Sequence, residues 1–159
     1  MRALQSLFLL LPLALACSSS IPDPPAGDRI SGTIRYQGTM TEHFSHPALQ
    51  VVASIDFPPT SIPHGFLLID RPNFSSGVAY ELAYLPRQAY KVAAQIADLD
   101  NAALDDGAKP LGGYPDSCTL LLSADAGLVE VRETEATVGI DFQLYDQMGM
   151  EDPCWQAIP

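Results

Sequence analysis

Val78-Ala79-Tyr80-Glu81-Leu82-Ala83-Tyr84 and Tyr90-Lys91-Val92-Ala93-Ala94-Gln95-Ile96, joined by Leu85-Pro86-Arg87-Gln88-Ala89, read as two strands and the turn between them. Val78, Tyr80, Leu82 and Tyr84 fall on one side of the first run, and Ala79, Glu81 and Ala83 on the other. In the second run Tyr90, Val92, Ala94 and Ile96 alternate with Lys91, Ala93 and Gln95. A two-residue period is the signature of a strand with one buried face. Pro86 lacks an N–H to donate, so it closes the first run. The rings of Tyr80, Tyr84 and Tyr90 are expected between layers, with their hydroxyls at the rim.

The same period extends in both directions. Ile30 to Tyr36, Leu49 to Ile55 and Phe66 to Asp70 are strands before the pair, with Phe57-Pro58-Pro59 and Pro63 interrupting regular structure between the last two. After it come Cys118 to Ser123 and Leu128 to Arg132, which flank an Ala-Asp-Ala-Gly turn. Val138, Ile140, Phe142 and Leu144 then alternate against Gly139, Asp141 and Gln143. Asp98 to Asp116 reads as a polar loop. No segment sustains a capped 3.6-residue apolar stripe. The expectation is an all-β domain over residues 29–146, a two-sheet antiparallel Ig-like sandwich of about 7–8 strands.

Residues 1–16 carry one positive charge, at Arg2, then a leucine-rich run ending in Leu13-Ala14-Leu15-Ala16, which has the form of a secretory signal peptide. Cleavage after Ala16 makes Cys17 the new amino terminus. Ser18-Ser19-Ser20 and the prolines at 22, 24 and 25 then form a tether over 17–28 with too few apolar groups to fold. The chain has 159 residues and a formal charge of −11, with 8 basic against 19 acidic side chains. So acidic a surface cannot neutralise a phosphate backbone, which excludes general nucleic-acid binding. Three cysteines in an exported chain leave one over. With Cys17 used otherwise, Cys118 and Cys154 remain for a disulfide that would pin the tail, 147–159, to the body; two separate thiols are the alternative.

Two resemblances follow from these residues. Leu13-Ala14-Leu15-Ala16-Cys17 resembles the box in which bacterial lipoproteins carry their lipidated cysteine, although that family prefers leucine where Ala14 stands. The resemblance implies an envelope protein anchored through a lipid at Cys17; Ser18 beside it implies the outer membrane. Ordinary cleavage, with Cys17 unmodified, is the competing reading. Ile30-Ser31-Gly32-Thr33-Ile34, the Tyr80–Ala94 run and Val138–Leu144, in that order, resemble the transthyretin-like sandwiches grouped with carboxypeptidase regulatory and starch-binding-like domains. Arg87-Gln88 stand where those domains usually have glycine, and the resemblance implies a fold far more than a function.

Candidate chemistry is sparse. Asp98, Asp100, Asp105 and Asp106, with the carbonyl of Asn101, have the oxygen chemistry that calcium requires, and the related sandwiches carry an aspartate-rich loop here. Lys109 and the absence of EF-hand spacing favour instead a solvated acidic loop that needs no cofactor. His43 and His46, with His64 elsewhere, are a thin zinc signal. No nucleophile elbow, phosphate loop or metalloprotease helix is present, so no catalytic residue is assigned and an enzyme is not expected. Phe57, Phe66, Phe74, Tyr114 and Trp155 offer rings that could stack on sugars or simply cap the sandwich. The resulting expectation is a lipid-anchored, non-enzymatic envelope protein with a structural or protein-interaction role and an unknown envelope protein or glycan as partner. A carbohydrate or small-ligand module on the same anchor is the first alternative, and an envelope hydrolase with an unrecognised site the second.

Overall fold

A computed structural model describes residues 27–100, 110–116 and 127–146. The leader, Cys17, Asn101, Asp105, Asp106, Cys118, Cys154, Trp155 and the whole tail over 147–159 therefore lie outside the described residues. Eight strands are found among the described ones: β1 (Arg29–Gln37), β2 (Pro47–Ser54), β3 (Gly65–Asp70), β4 (Val78–Ala83), β5 (Ala89–Asp98), β6 (Leu111–Gly113), β7 (Val129–Glu130) and β8 (Phe142–Tyr145). Among the described residues the helical turns are short 3-10 pieces at Met40–His43 and Phe74–Ser76. No helix among the described residues is long and apolar enough to cross a membrane.

The all-β expectation holds, and the strands form one continuous path, β3-β2-β5-β6-β8-β1-β4, with β7 attached to β5. The two ends of this path, β3 and β4, pack against each other, so the sheet is nearly closed. It is mixed rather than wholly antiparallel, because β1 and β8 run parallel, with Ile34 opposite Phe142 and Tyr36 opposite Leu144. Inside lies one core built from the alternating residues: Ile30 and Ile34, Leu49 and Val51, Tyr80 and Leu82, Tyr90, Val92 and Ile96, Phe142 and Leu144. Tyr80 donates to the Ile140 carbonyl at 2.8 Å and Tyr90 to the Pro86 carbonyl at 2.7 Å.

Four expectations are corrected. Tyr84 does not join the core: its φ is +60°, which breaks the alternation. Its side chain is 54% exposed, and Leu85 takes the inward place. Residues 98–116 are not loop throughout, since Asp98 ends β5 and Leu111–Gly113 bridges β5 to β8. Two glycines carry no side-chain period to read, yet Gly112 is required there, because a Cβ would overlap the Gln143 carbonyl. Val138 is exposed rather than inward, because Gly139 at φ +74° resets the alternation and only Ile140 onward points inside. Beside it the Asp141 carboxylate accepts from the Thr33 N–H at 2.7 Å, so a side chain replaces a ladder acceptor and β8 starts late. Finally, Lys91 and Ala93 on the outer side of β5 are covered rather than solvated.

At the amino-terminal boundary, Gly27 is already buried and the Asp28 carbonyl accepts from the Leu85 N–H. The described body thus includes the last two residues of the expected tether.

Candidate functional site

Directly opposed residues in antiparallel strands share a face of the sheet, so the register lays out the outer surface of β3, β2, β5 and β6 row by row. One row is Leu68, Gln50, Gln95 and Leu111; the next is Phe66, Val52, Ala93 and Gly113. Asp70, Ala48 and Ala97 form a third. Phe66 is 60% exposed and Leu68 44%, on a strand whose alternate residues, Leu67 and Ile69, pack on the core. Large apolar side chains adjacent on one face, open to solvent, are the unusual feature of this surface.

After β2 the chain turns at Asp56, whose carboxylate accepts from Ser54 Oγ at 3.0 Å and from the backbone and side chain of Thr60. These bonds hold the Asp56 carboxyl below the usual range against the opposing effect of burial, the Thr60 side chain contributing most. The turn carries Phe57-Pro58-Pro59 over the outer face, leaving a groove of about 270 Å³ with Val52 and Ala93 as its floor. Gln95 Nε2 donates to Gln50 Oε1 at 2.6 Å within it, and Leu111 closes one end. A pair of amides in apolar walls can orient a polar group on a ligand while the walls supply contact area.

At the other end of this face sits an acidic cluster around His46. Its Nε2 lies 2.5 Å from Asp70 Oδ1 and its Nδ1 3.4 Å from Asp100 Oδ1. An ionised carboxylate only accepts, so satisfying both contacts requires both ring nitrogens to be protonated. Accordingly the His46 pKa is raised, first by the Asp70 hydrogen bond and then by Asp100, over the opposing effect of desolvation. Asp98 is 9% exposed and accepts from the backbone N–H groups of Ser45 (3.0 Å), His46 (2.8 Å) and Asp100 (3.3 Å). Burial works to raise its pKa, but these donors prevail and lower it.

Of the expected calcium ligands, the two that are described are already engaged. Asp98 is a structural acceptor that stitches the β1–β2 connection to the end of β5, and an ion there would displace its donors. Asp100 faces His46, while Asn101, Asp105 and Asp106 lie outside the described residues. Among the described residues no group of three or more metal-ligating side chains is placed to hold an ion. Nor does His64 join His43 and His46 as a third zinc ligand: His46 precedes the first residue of β2, whereas the His64 N–H bonds to Ala53 near its end, about 20 Å away along the strand.

Of the expected sugar-stacking rings, Phe57 and Phe66 come to this outer face. Phe74 packs against Tyr36 at 5.3 Å, and Tyr114 against the core. A larger cleft of about 690 Å³ lies by Tyr114, Leu128, Glu130, Arg132 and Val138. It is a weaker candidate because the one cationic side chain in its lining is already engaged: Arg132 pairs with Glu130 at 3.1 Å. Neither the Gln50–Gln95 pair nor the His46 cluster is visible in the chain alone, because each joins residues 24 to 54 positions apart. Comparison of the chain with protein-family models, curated proteins and solved structures yields no match.

Proposed function

We propose that the protein is a non-enzymatic binding module of the bacterial cell envelope, held at the outer membrane by a lipid on Cys17. In this reading it works through the outer face of β3, β2, β5 and β6. The observation that carries it is the open apolar surface of Phe66 and Leu68 continuing into the groove under Phe57-Pro58-Pro59. Supporting the anchor are the Leu13-Ala14-Leu15-Ala16-Cys17 box and the serine- and proline-rich stretch that follows it. The nearly closed sheet is read as a transthyretin-like, Ig-like sandwich whose halves, β3-β2-β5-β6 and β8-β1-β4, enclose the shared core. Cys118 and Cys154 form the disulfide that secures the tail. A role in ligand or partner recognition is favoured over catalysis because the Ser45 and Ser54 hydroxyls on this face donate to the carboxylates of Asp98 and Asp56, which are themselves committed to holding turns.

The test is co-sedimentation with purified envelopes. A Cys17→Ala form, freed from the lipid, still pellets with envelopes through its outer face. Adding Phe66→Asp and Leu68→Asp removes that association while the melting temperature stays within a few degrees. Association unchanged by the double substitution would refute the reading.

A further inference from the structure

We propose that β3 pairs with β3 of a second copy of this chain across a two-fold axis, with Phe66 opposite Leu68 of that copy. The pairing goes beyond the binding-module reading and does not depend on it. In an antiparallel ladder each residue turns its N–H and C=O to one neighbour, and successive residues alternate. The Leu99 N–H bonds to the His46 carbonyl, which commits the even-numbered residues of β2 to β5 and leaves Leu49, Val51 and Ala53 for β3. The Arg71 N–H bonds to the Pro47 carbonyl in the same phase. Leu67 and Ile69 therefore turn their main-chain groups to β2. Those of Phe66 and Leu68 point to the free edge, where they meet no partner among the described residues. Nor does β4 close that edge, since no backbone ladder joins it to β3. It lies under the inner face: a Cβ placed on Gly65, in phase with Leu67 and Ile69, would come within 2.8 Å of Leu85 Cδ2 and 3.6 Å of Leu82 Cβ.

Open edges are usually guarded by a charge, a proline or a bulge. β4, at the other end of the path, has Glu81 exposed in mid-strand. β3 has no such guard before Asp70, its last residue, and its register with β2 is unbroken from Gly65 to Asp70. Phe57 to Ile69 holds no Asp, Glu, Lys or Arg. In a chain carrying −11, such a run lets an equally acidic copy approach without a like charge in its path. The register follows from the same groups. Centring the two-fold on Phe66 leaves Leu68 opposite His64, whose N–H is already bonded to the Ala53 carbonyl. Centring it on Leu68 sets Phe66 against Asp70, whose carboxylate is held by His46. Centring it on Leu67 pairs Phe66 with Leu68 of the second copy on both sides of the axis. Each such pair exchanges both main-chain bonds, and side chains that are 60% and 44% exposed in one copy lie against each other. A strand that matches itself in hydrogen-bond phase, side-chain face and lack of charge fits an isologous pair.

Sedimentation equilibrium and NMR on the lipid-free Cys17→Ala mature chain test this. A contact of two edges buries less than roughly 1,200 Å², so the dimer is weak, with a Kd between about 10 µM and 1 mM. Raising the concentration through that range converts monomer to dimer and slows exchange of the Phe66 and Leu68 amides severalfold, leaving Glu81 on β4 unchanged. In a half-labelled sample, intermolecular NOEs join the Phe66 ring to the Leu68 methyl groups. Leu68→Pro removes an edge-facing N–H and no bond to β2, so it weakens the dimer at least tenfold while the fold persists. Should that variant fail to fold, exchange and NOEs in the unaltered edge decide the matter. A chain still monomeric at about 1 mM, slowed exchange confined to another surface, NOEs from Phe66 to Asp70 instead, or full dimer affinity in a folded Leu68→Pro would each overturn the proposal. If the isolated chain stays monomeric while purified envelopes protect the same two amides, the edge takes a strand from another protein and the self-pairing falls.

Discussion

Tyr90 is where strand pattern, packing and turn geometry meet, and truncating it in two steps separates their contributions. The side chain is fully buried, its ring lies edge-on to His64 at 5.5 Å, and its hydroxyl donates to the Pro86 carbonyl at 2.7 Å while accepting from Gln88 at 3.2 Å. Tyr90→Phe keeps the ring and removes both bonds. Pro86 and Gln88 are exposed, so water replaces the lost partner and the cost stays near 1 kcal/mol. Tyr90→Ala also empties the ring's place in the core, for a total of about 3–5 kcal/mol. For a domain of this size 1 kcal/mol corresponds to about 3–4 °C. Melting should therefore fall by about 3–4 °C for the phenylalanine and by roughly 10–20 °C for the alanine. Urea unfolding followed by circular dichroism should show the midpoint moving with little change in slope. An alanine variant that melts within a degree or two of the unaltered protein would refute the inward placement of Tyr90 and the strand register that depends on it.

Three further outcomes follow from the geometry. Gly112→Ala sets a Cβ against the Gln143 carbonyl, so it should lower the melting temperature and speed hydrogen exchange at β6 and β8 relative to β1–β4. His46 has a folded pKa above its ordinary 6.5 because Asp70 and then Asp100 bond to it. Its contribution is complete below about pH 6.5 and lost as pH rises through the raised value. The melting gap between unaltered protein and His46→Gln should accordingly be widest near pH 6 and narrow by pH 9; a gap that widened with pH would contradict the double carboxylate contact. Tyr36 is pushed up to about 12, first by burial and next by its hydrogen bond to Asp146. Alkaline absorbance titration of Tyr36→Phe should lose a late step near that pH.

Much of the strand arrangement was legible from alternation alone, wherever side chains bulky enough to mark a face recur every second residue. Ile30 and Ile34, Leu49 and Val51, Tyr80 and Leu82, and Tyr90, Val92 and Ile96 all lie inward as their spacing requires. The misreadings occur where a backbone dihedral or a side-chain acceptor overrides the period. Tyr84 and Gly139 take positive φ, and the Asp141 carboxylate substitutes for a main-chain carbonyl. β6 was hidden because Leu-Gly-Gly has almost no pattern to show. Asp98 was legible as polar but not as a buried acceptor, since two of its three backbone donors, Ser45 and His46, are more than fifty residues away. The outer face emerged only once pairing register was known, because Gln50 and Gln95 each look like an unremarkable solvent-facing residue until β2 and β5 are set side by side.

Site-specific photocrosslinking in living cells tests the assignment of the outer face most directly. A photoreactive phenylalanine analogue replaces Phe66 in one strain and Tyr84, 54% exposed at the end of β4, in another. Adducts with an envelope component should form from position 66, fall sharply when Leu68→Asp is added, and be absent from position 84. Equal yields from the two positions, or adducts from position 84 alone, would show that this face is not where the protein binds.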